Sequence, residues 1–176
     1  FPTSPTFHHG VVGGTPGQLM LDNDIGGISP GVGCNAVDNL VTFTFANSTG
    51  GNGLSRVYYM CAVIAQESAH SYSLDHSYSF PGTPPRSACN DPMTYRTDCG
   101  GMRFFRNDQA TCGEFEARPC SCGATQNAHL KLLSVFGAGT PTTPKPTVTV
   151  NPPAGGSIGI SITATAFSKR GIAKLE

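Results

Sequence analysis

Gln66-Glu67-Ser68-Ala69-His70-Ser71-Tyr72-Ser73-Leu74-Asp75-His76 is the stretch on which the fold turns. It closes the most strongly helical segment of the chain. Gln66 and His70 are four residues apart, so on a helix they stack on one face, one turn above each other. Glu67, the single carboxylate of that helix, stands on the adjoining edge. Past a turn, His76 can swing back toward the same point. This spacing builds a metal site from a helix and its exit loop, with Gln66, His70 and His76 as ligands and Glu67 as a neighbouring base.

The helix reads over 54–72, a stretch without Gly or Pro in which Val57, Cys61, Ile64 and Ala65 recur at helical spacing. Residues 60–65 are apolar all round, which predicts a buried helix. A buried Glu67 then demands a shifted pKa, a metal or a hydrogen-bond network. Upstream, Val41, Phe43 and Phe45 alternate with Thr42 and Thr44, the pattern of a half-buried strand with good β-formers. Before it, residues 18–34 read as loop, and Val11-Val12 as a brief strand. His8 and His9 are adjacent and point to opposite faces of a strand, so they read as ordinary strand or loop histidines. Asn47-Ser48-Thr49 fits a glycosylation acceptor. Downstream, Cys89 and Cys99 bracket a tight segment and pair plausibly. Residues 100–124 are irregular, with Phe104, Phe105 and Phe115 for packing and Cys112, Cys120 and Cys122 for bridging. Thr125 then caps a second helix with Leu130, Leu133 and Phe136 as its apolar stripe and Gly137 at its end. His129 reads as structural or solvent-facing.

Eleven basic and eleven acidic residues among 176 cancel, and no basic patch points to nucleic acid. The longest apolar run, 58–65, is too short for a transmembrane segment. Seven cysteines, 22 glycines and 14 prolines suggest a loop-rich fold supported by disulfides in an oxidising, extracellular setting, with one thiol left over. Cys120-Ser121-Cys122 lacks zinc-ribbon spacing. Residues 1–5 carry no signal-peptide pattern, and the chain reads as an excerpt of a longer protein. Its organisation reads as a domain over 1–137, a Pro/Gly/Thr linker over 138–147, and over 148–176 the start of an immunoglobulin-like β-sandwich. That last reading rests on Val148-Thr149-Val150, an alternating stretch at 158–167 and a third strand opening at Ile172.

With the helix, its exit loop, Asp91-Pro92-Met93-Thr94-Tyr95 and the closing helix in this order, the chain resembles the metzincin zinc metallopeptidases, whose pattern is HExxHxxGxxH followed by a Met-turn. The resemblance covers roughly residues 37–137. It implies an α+β domain with a mixed sheet, a buried active-site helix and a C-terminal helix. It further implies Zn2+ at Gln66, His70 and His76, Glu67 as general base, Met93 as the packing floor and Tyr95 as a residue that reaches the metal or steadies the oxyanion. The expected activity is that of a secreted endopeptidase acting on a protein or peptide substrate. Two positions depart from the pattern. Ser73 stands in place of the glycine, and Gln66 in place of the first histidine, where an amide oxygen is a weaker zinc ligand than imidazole. The alternative is therefore a pseudopeptidase, the same fold acting as a peptide- or surface-binding module. The trailing segment resembles the immunoglobulin-like domains that follow catalytic domains in secreted bacterial proteins.

Overall fold

A computed structural model describes residues 8–31, 33–48, 52–137, 148–150 and 164–166. The fold is α+β, and the chain divides into two compact units, 1–137 and 138–176. The first unit contains a three-stranded mixed sheet and two helices. Strand β1 (His8–Val12) lies parallel to β3 (Leu40–Thr44), with His8 opposite Leu40 and Val12 opposite Thr44. Strand β2 (Gly27–Ile28) runs antiparallel to β3 on its other side, pairing Gly27 with Thr44 and Ile28 with Phe43. Helix α1 (Gly53–Ser71) packs on this sheet, and α2 (Ala128–Phe136) closes the unit. A 3₁₀ turn, Pro16–Leu19, and β2 both fall within residues expected to be loop or its border.

Strand β3 is half-buried as expected, and its pairing shows which face meets α1. A Cβ added to Gly27 would stand 2.6 Å from Glu67 Cγ and 2.8 Å from Val63 Cγ1, so this glycine lets α1 press directly onto β2. Residues directly opposite in an antiparallel ladder share a face, so Thr44, the partner of Gly27, faces α1, and Thr42 does too. Thr42 and Thr44 are buried and Val41 and Phe43 half-buried on the other side, while Phe45, just past the strand, is buried as well. Small side chains are needed where a helix lies close to the strands; the larger residues take the less crowded face. The apolar spacing of α1 is displaced. The helix buries one face only, through Ala62, Val63, Glu67, Ala69, His70 and Ser71, whereas Val57 and Cys61 are exposed. A segment that is apolar all round does not reveal which stripe a three-stranded sheet will cover.

Helix α1 ends through a left-handed residue. Ser73 has φ +66° and donates its backbone N–H to His70 O, which lets Leu74 N–H return to Ala69 O. Its Oγ is buried with no hydrogen-bond partner. A left-handed conformation costs a non-glycine residue about 1–2 kcal/mol, and an unpaired buried hydroxyl adds to that. Greater freedom of glycine in the unfolded chain offsets part of the gain. Ser73→Gly is therefore expected to stabilise the unit by about 1 kcal/mol, raising Tm by about 2–6 °C. Thermal unfolding of the two proteins checks this; a lower Tm for the glycine variant would show that Ser73 is not strained.

Beyond α1, residues 72–127 form an irregular layer pinned by the disulfides Cys89–Cys99 and Cys112–Cys120. Its core joins Met93 and Leu74, both fully buried, to Ala69 of α1 and Ala128 of α2, with Phe105 and Leu132 packed alongside. Helix α2 is capped by Asn127, whose side chain accepts the N–H of Leu130, and not by Thr125, whose hydroxyl accepts from Gln109 instead. Asn127 wins because two further residues of non-helical chain are spent pairing Gln126 with Ala110. The expected stripe also lies outward: Leu130, Leu133 and Phe136 are exposed, and Ala128 and Leu132 face the core. Phe136 stacks edge-on against Tyr72 at 4.6 Å. His8 packs on the same end of α1, hydrogen-bonded to Ser71 and 4.1 Å from the Tyr72 ring.

In the second unit, β4 (Val148–Val150) and β5 (Ala164–Ala166) pair antiparallel, Val148 opposite Ala166. The linker at 138–147, the remaining residues of 158–167 and the strand expected from Ile172 lie outside the described residues. No helix among the described residues is long and apolar enough to cross a membrane.

Candidate functional site

The C-terminal turn of α1 and its exit loop bring two imidazoles together. His70 Nε2 and His76 Nε2 stand 3.0 Å apart, with the rings edge-on at 4.6 Å. The opposite nitrogen of each ring is occupied. His70 Nδ1–H donates to Leu74 O at 2.7 Å, an acceptor that the left-handed Ser73 turns back toward the helix. His76 Nδ1–H donates to Glu114 Oε1 at 2.7 Å. In a neutral ring such a bond leaves Nε2 with its lone pair. Burial, and then the proximity of His76, pushes the His70 pKa down to about 4, so this ring is neutral near pH 7. Two lone pairs facing each other at this distance repel unless a proton or cation lies between them.

Two converging imidazole nitrogens are donors that a divalent metal ion such as zinc accepts. Two imidazole nitrogens on a tetrahedral zinc, each ~2.0–2.1 Å from the ion, stand about 3.3 Å apart. Metal-bound histidines characteristically tie their other nitrogen to a carbonyl or a carboxylate, as both do here.

An ionic network missed in the sequence holds His76. Arg118 donates to Asp75 with both terminal nitrogens, at 2.8 and 2.9 Å, and to Glu114 Oε1 at 2.9 Å. Asp75 also accepts the N–H of His76 at 2.8 Å, and the N–H and hydroxyl of Ser121, each at 2.9 Å. Burial alone would raise the Asp75 pKa; Arg118, Ser121 and the His76 N–H outweigh it and hold the carboxyl well below its ordinary range. Glu114 is drawn down to about 2, where the bonds from Arg118 and His76 overcome its burial. Asp75, His76 and Glu114 cluster tightly enough to suggest a metal of their own. Their carboxylates, however, already share the guanidinium of Arg118, so the group orients His76 and does not form a separate cation site. Gln126 completes the arrangement: its amide accepts the N–H of Asp75 and donates to Asp75 O, gripping the backbone just before His76.

Glu67 lies on the wall of a cleft of about 390 Å³ shared with Gln66, Tyr95, Arg103, Phe115, Gly26 and, from β2, Gly27. It is 6% exposed, and burial alone pushes its pKa up to about 7. Tyr95 rises from the rim, stacking on His76 at 4.6 Å and on Phe115 at 5.5 Å. Its phenol pKa is raised by burial and by the nearby Glu114 and Glu67. Met93 lies in the core beside Ala69 and Leu74. Its turn is shaped by Asp91, whose Oδ1 accepts the N–H of Met93 at 2.8 Å and whose Oδ2 accepts that of Arg106 at 2.8 Å.

The structure thus packs His70 and Tyr95 on the His76 ring, while Gln66 and Glu67 line the cleft that Tyr95 borders, and neither histidine lines that cleft. Asp75, Glu114, Arg118, Ser121 and Gln126 are the supporting residues that sequence reasoning passed over. One signal was available: Glu114 and Arg118 stand four apart inside the segment closed by Cys112 and Cys120. Compared with known protein families, curated proteins and solved structures, the chain matches none of them.

Proposed function

We propose that residues 1–137 form a metzincin-like zinc-dependent endopeptidase domain of a secreted bacterial protein, followed by the start of an immunoglobulin-like domain. The observation that carries this reading is the converging Nε2 pair of His70 and His76, each ring anchored through its other nitrogen beside a buried Glu67. His70 and His76 would hold zinc, with Gln66 from the preceding turn of α1 as the third protein ligand. Bound zinc supplies Lewis-acid chemistry, acidifying water and polarising a peptide carbonyl. Glu67, with a pKa near neutrality, takes a proton from the attacking water and delivers it to the leaving amide nitrogen. Tyr95 donates its phenol hydrogen to the developing oxyanion. Strand β2 is at the edge of the sheet and borders the cleft, so its free edge can hold an extended peptide by main-chain pairing. Two disulfides accord with an oxidising compartment.

Metal analysis tests the reading. The full chain, purified without chelator and reconstituted with zinc, is expected to retain about one equivalent; less than a tenth of an equivalent would overturn it. Gln66 favours the second reading, a pseudopeptidase whose cleft binds peptide without turnover. An amide is a poorer ligand than imidazole, so Gln66→His is expected to raise zinc affinity at least about tenfold. A competition titration with a chromogenic chelator measures it. No gain would mean that residue 66 does not face the His70–His76 pair.

A further inference from the structure

Three cysteines lie outside the two disulfides, and two of them meet. Cys34 Sγ donates to Ser121 O at 2.8 Å, and Cys122 Sγ donates to Gly33 O at 3.6 Å, so each thiol bonds the residue preceding the other. Lys131 of α2 clips the same place by donating to Cys34 O at 3.3 Å. Cys61 is remote in role, exposed on α1.

We propose that Cys34 and Cys122 are the partners of a third disulfide, which fastens the loop bearing the Asp75 clamp to the segment preceding β3. Position gives this bond its consequence. Cys122 follows Ser121, whose N–H and hydroxyl both hold Asp75, and Asp75 in turn holds the His76 backbone and Arg118. On the other side, three residues beyond Cys34, the N–H of Val37 bonds Ser71 O at the end of α1. The bond therefore closes the frame around the exit loop of α1 from both sides. It spans about 90 residues, a long loop whose closure strongly restricts the unfolded chain.

The chemistry is thiol–disulfide exchange with a low-molecular-weight disulfide as oxidant. The Cys34 thiolate attacks one sulfur of the reagent, forming a mixed disulfide and releasing one thiolate. Cys122, after losing its proton, attacks Cys34 Sγ and releases the second. The two protons given up by the cysteines end on the two small thiols, so the dithiol is oxidised and the reagent reduced. Burial, and then Cys34, raise the Cys122 pKa to about 11, so its attack on the mixed disulfide quickens as pH rises.

The test alkylates the full chain after incubation with oxidised glutathione, first without and then with prior reduction. Without reduction, Cys61 alone is expected to be labelled, and peptide mapping should recover a fragment linking Cys34 to Cys122. Labelling of Cys34 and Cys122 while both other disulfides remain intact would overturn the proposal, as would a fragment joining Cys122 to any other cysteine. The variant C34S/C122S is expected to lose about 5–15 °C in Tm. In it, amide exchange at Ser121 should quicken by about tenfold or more under conditions where the folded state persists. Unchanged exchange at Ser121 would show that the pair does not secure the loop. None of these readouts depends on peptidase activity or on zinc.

Discussion

Glu67→Gln is expected to cut kcat/KM for peptide hydrolysis by about 10²–10⁴-fold while leaving the zinc content unchanged, because the amide keeps the shape of the side chain but cannot accept a proton. The same substitution should stabilise the metal-free protein at high pH. Glu67 is buried beside Gly27 and Val63, and its pKa rises from 4.5 to about 7 through burial alone. A carboxyl whose folded pKa is raised causes no penalty below its unfolded value, where it is protonated in both states. The penalty grows as pH rises from about 4.5 and is complete above about 7. There it amounts to about 3 kcal/mol. Metal-free Glu67→Gln should therefore match the parent in stability at pH 4 and exceed it by up to about that amount at pH 8. Denaturant titrations of the chelator-treated proteins at both pH values measure the gap. Equal stabilities at pH 8 would mean that Glu67 is better solvated than its burial implies, and retained hydrolysis would remove it as the base. A site that weakens the empty fold is what a functional carboxylate held out of water predicts.

The sequence carried the site's nearest residues better than its frame. Gln66, Glu67, His70 and His76 are local: helical spacing and one turn decide where they fall, and the structure brings His70 and His76 within 3.0 Å. Ser73 shows the same economy, since a left-handed residue is needed where α1 turns back. What could not be read depended on distant pairing. Strand β2 is two residues long and has no pattern of its own; β3 and the Cβ-less Gly27 define it. The alternation in β3 was visible, but which face met α1 depended on how closely the helix approached, and Thr42 and Thr44 took that face beside Gly27. Asp75 lies within the 66–76 stretch, where nothing local marks it out. Its meaning comes from Arg118 and Ser121, more than forty residues away.

That distance makes Arg118 the most informative residue of the frame. Arg118→Ala is expected to destabilise the unit by about 3 kcal/mol at neutral pH, because it strands the buried Asp75 carboxylate without its counter-charge. Asp75 keeps its bonds from Ser121 and the His76 N–H, so the loss should fall at the lower end for a broken buried pair. The sign of the pH dependence follows from the depressed pKa of Asp75. Its stabilisation is present above the unfolded value near 4 and is lost as pH falls through the lower folded value. Parent and variant should thus differ most above about pH 5 and converge as the solution is acidified toward pH 2. Adding Asp75→Asn to the variant removes the stranded charge, so the double variant should recover much of the loss. The clamp also orients His76 through Glu114, so Arg118→Ala should weaken zinc binding by about 10–100-fold although Arg118 does not contact the Nε2 pair. Measured together, the two losses separate the possible roles of the network. Lost stability with unchanged zinc affinity would make it a fold clamp alone. Lost affinity in the double variant, after stability has returned, would show that Glu114 needs Arg118 to hold the His76 ring in place.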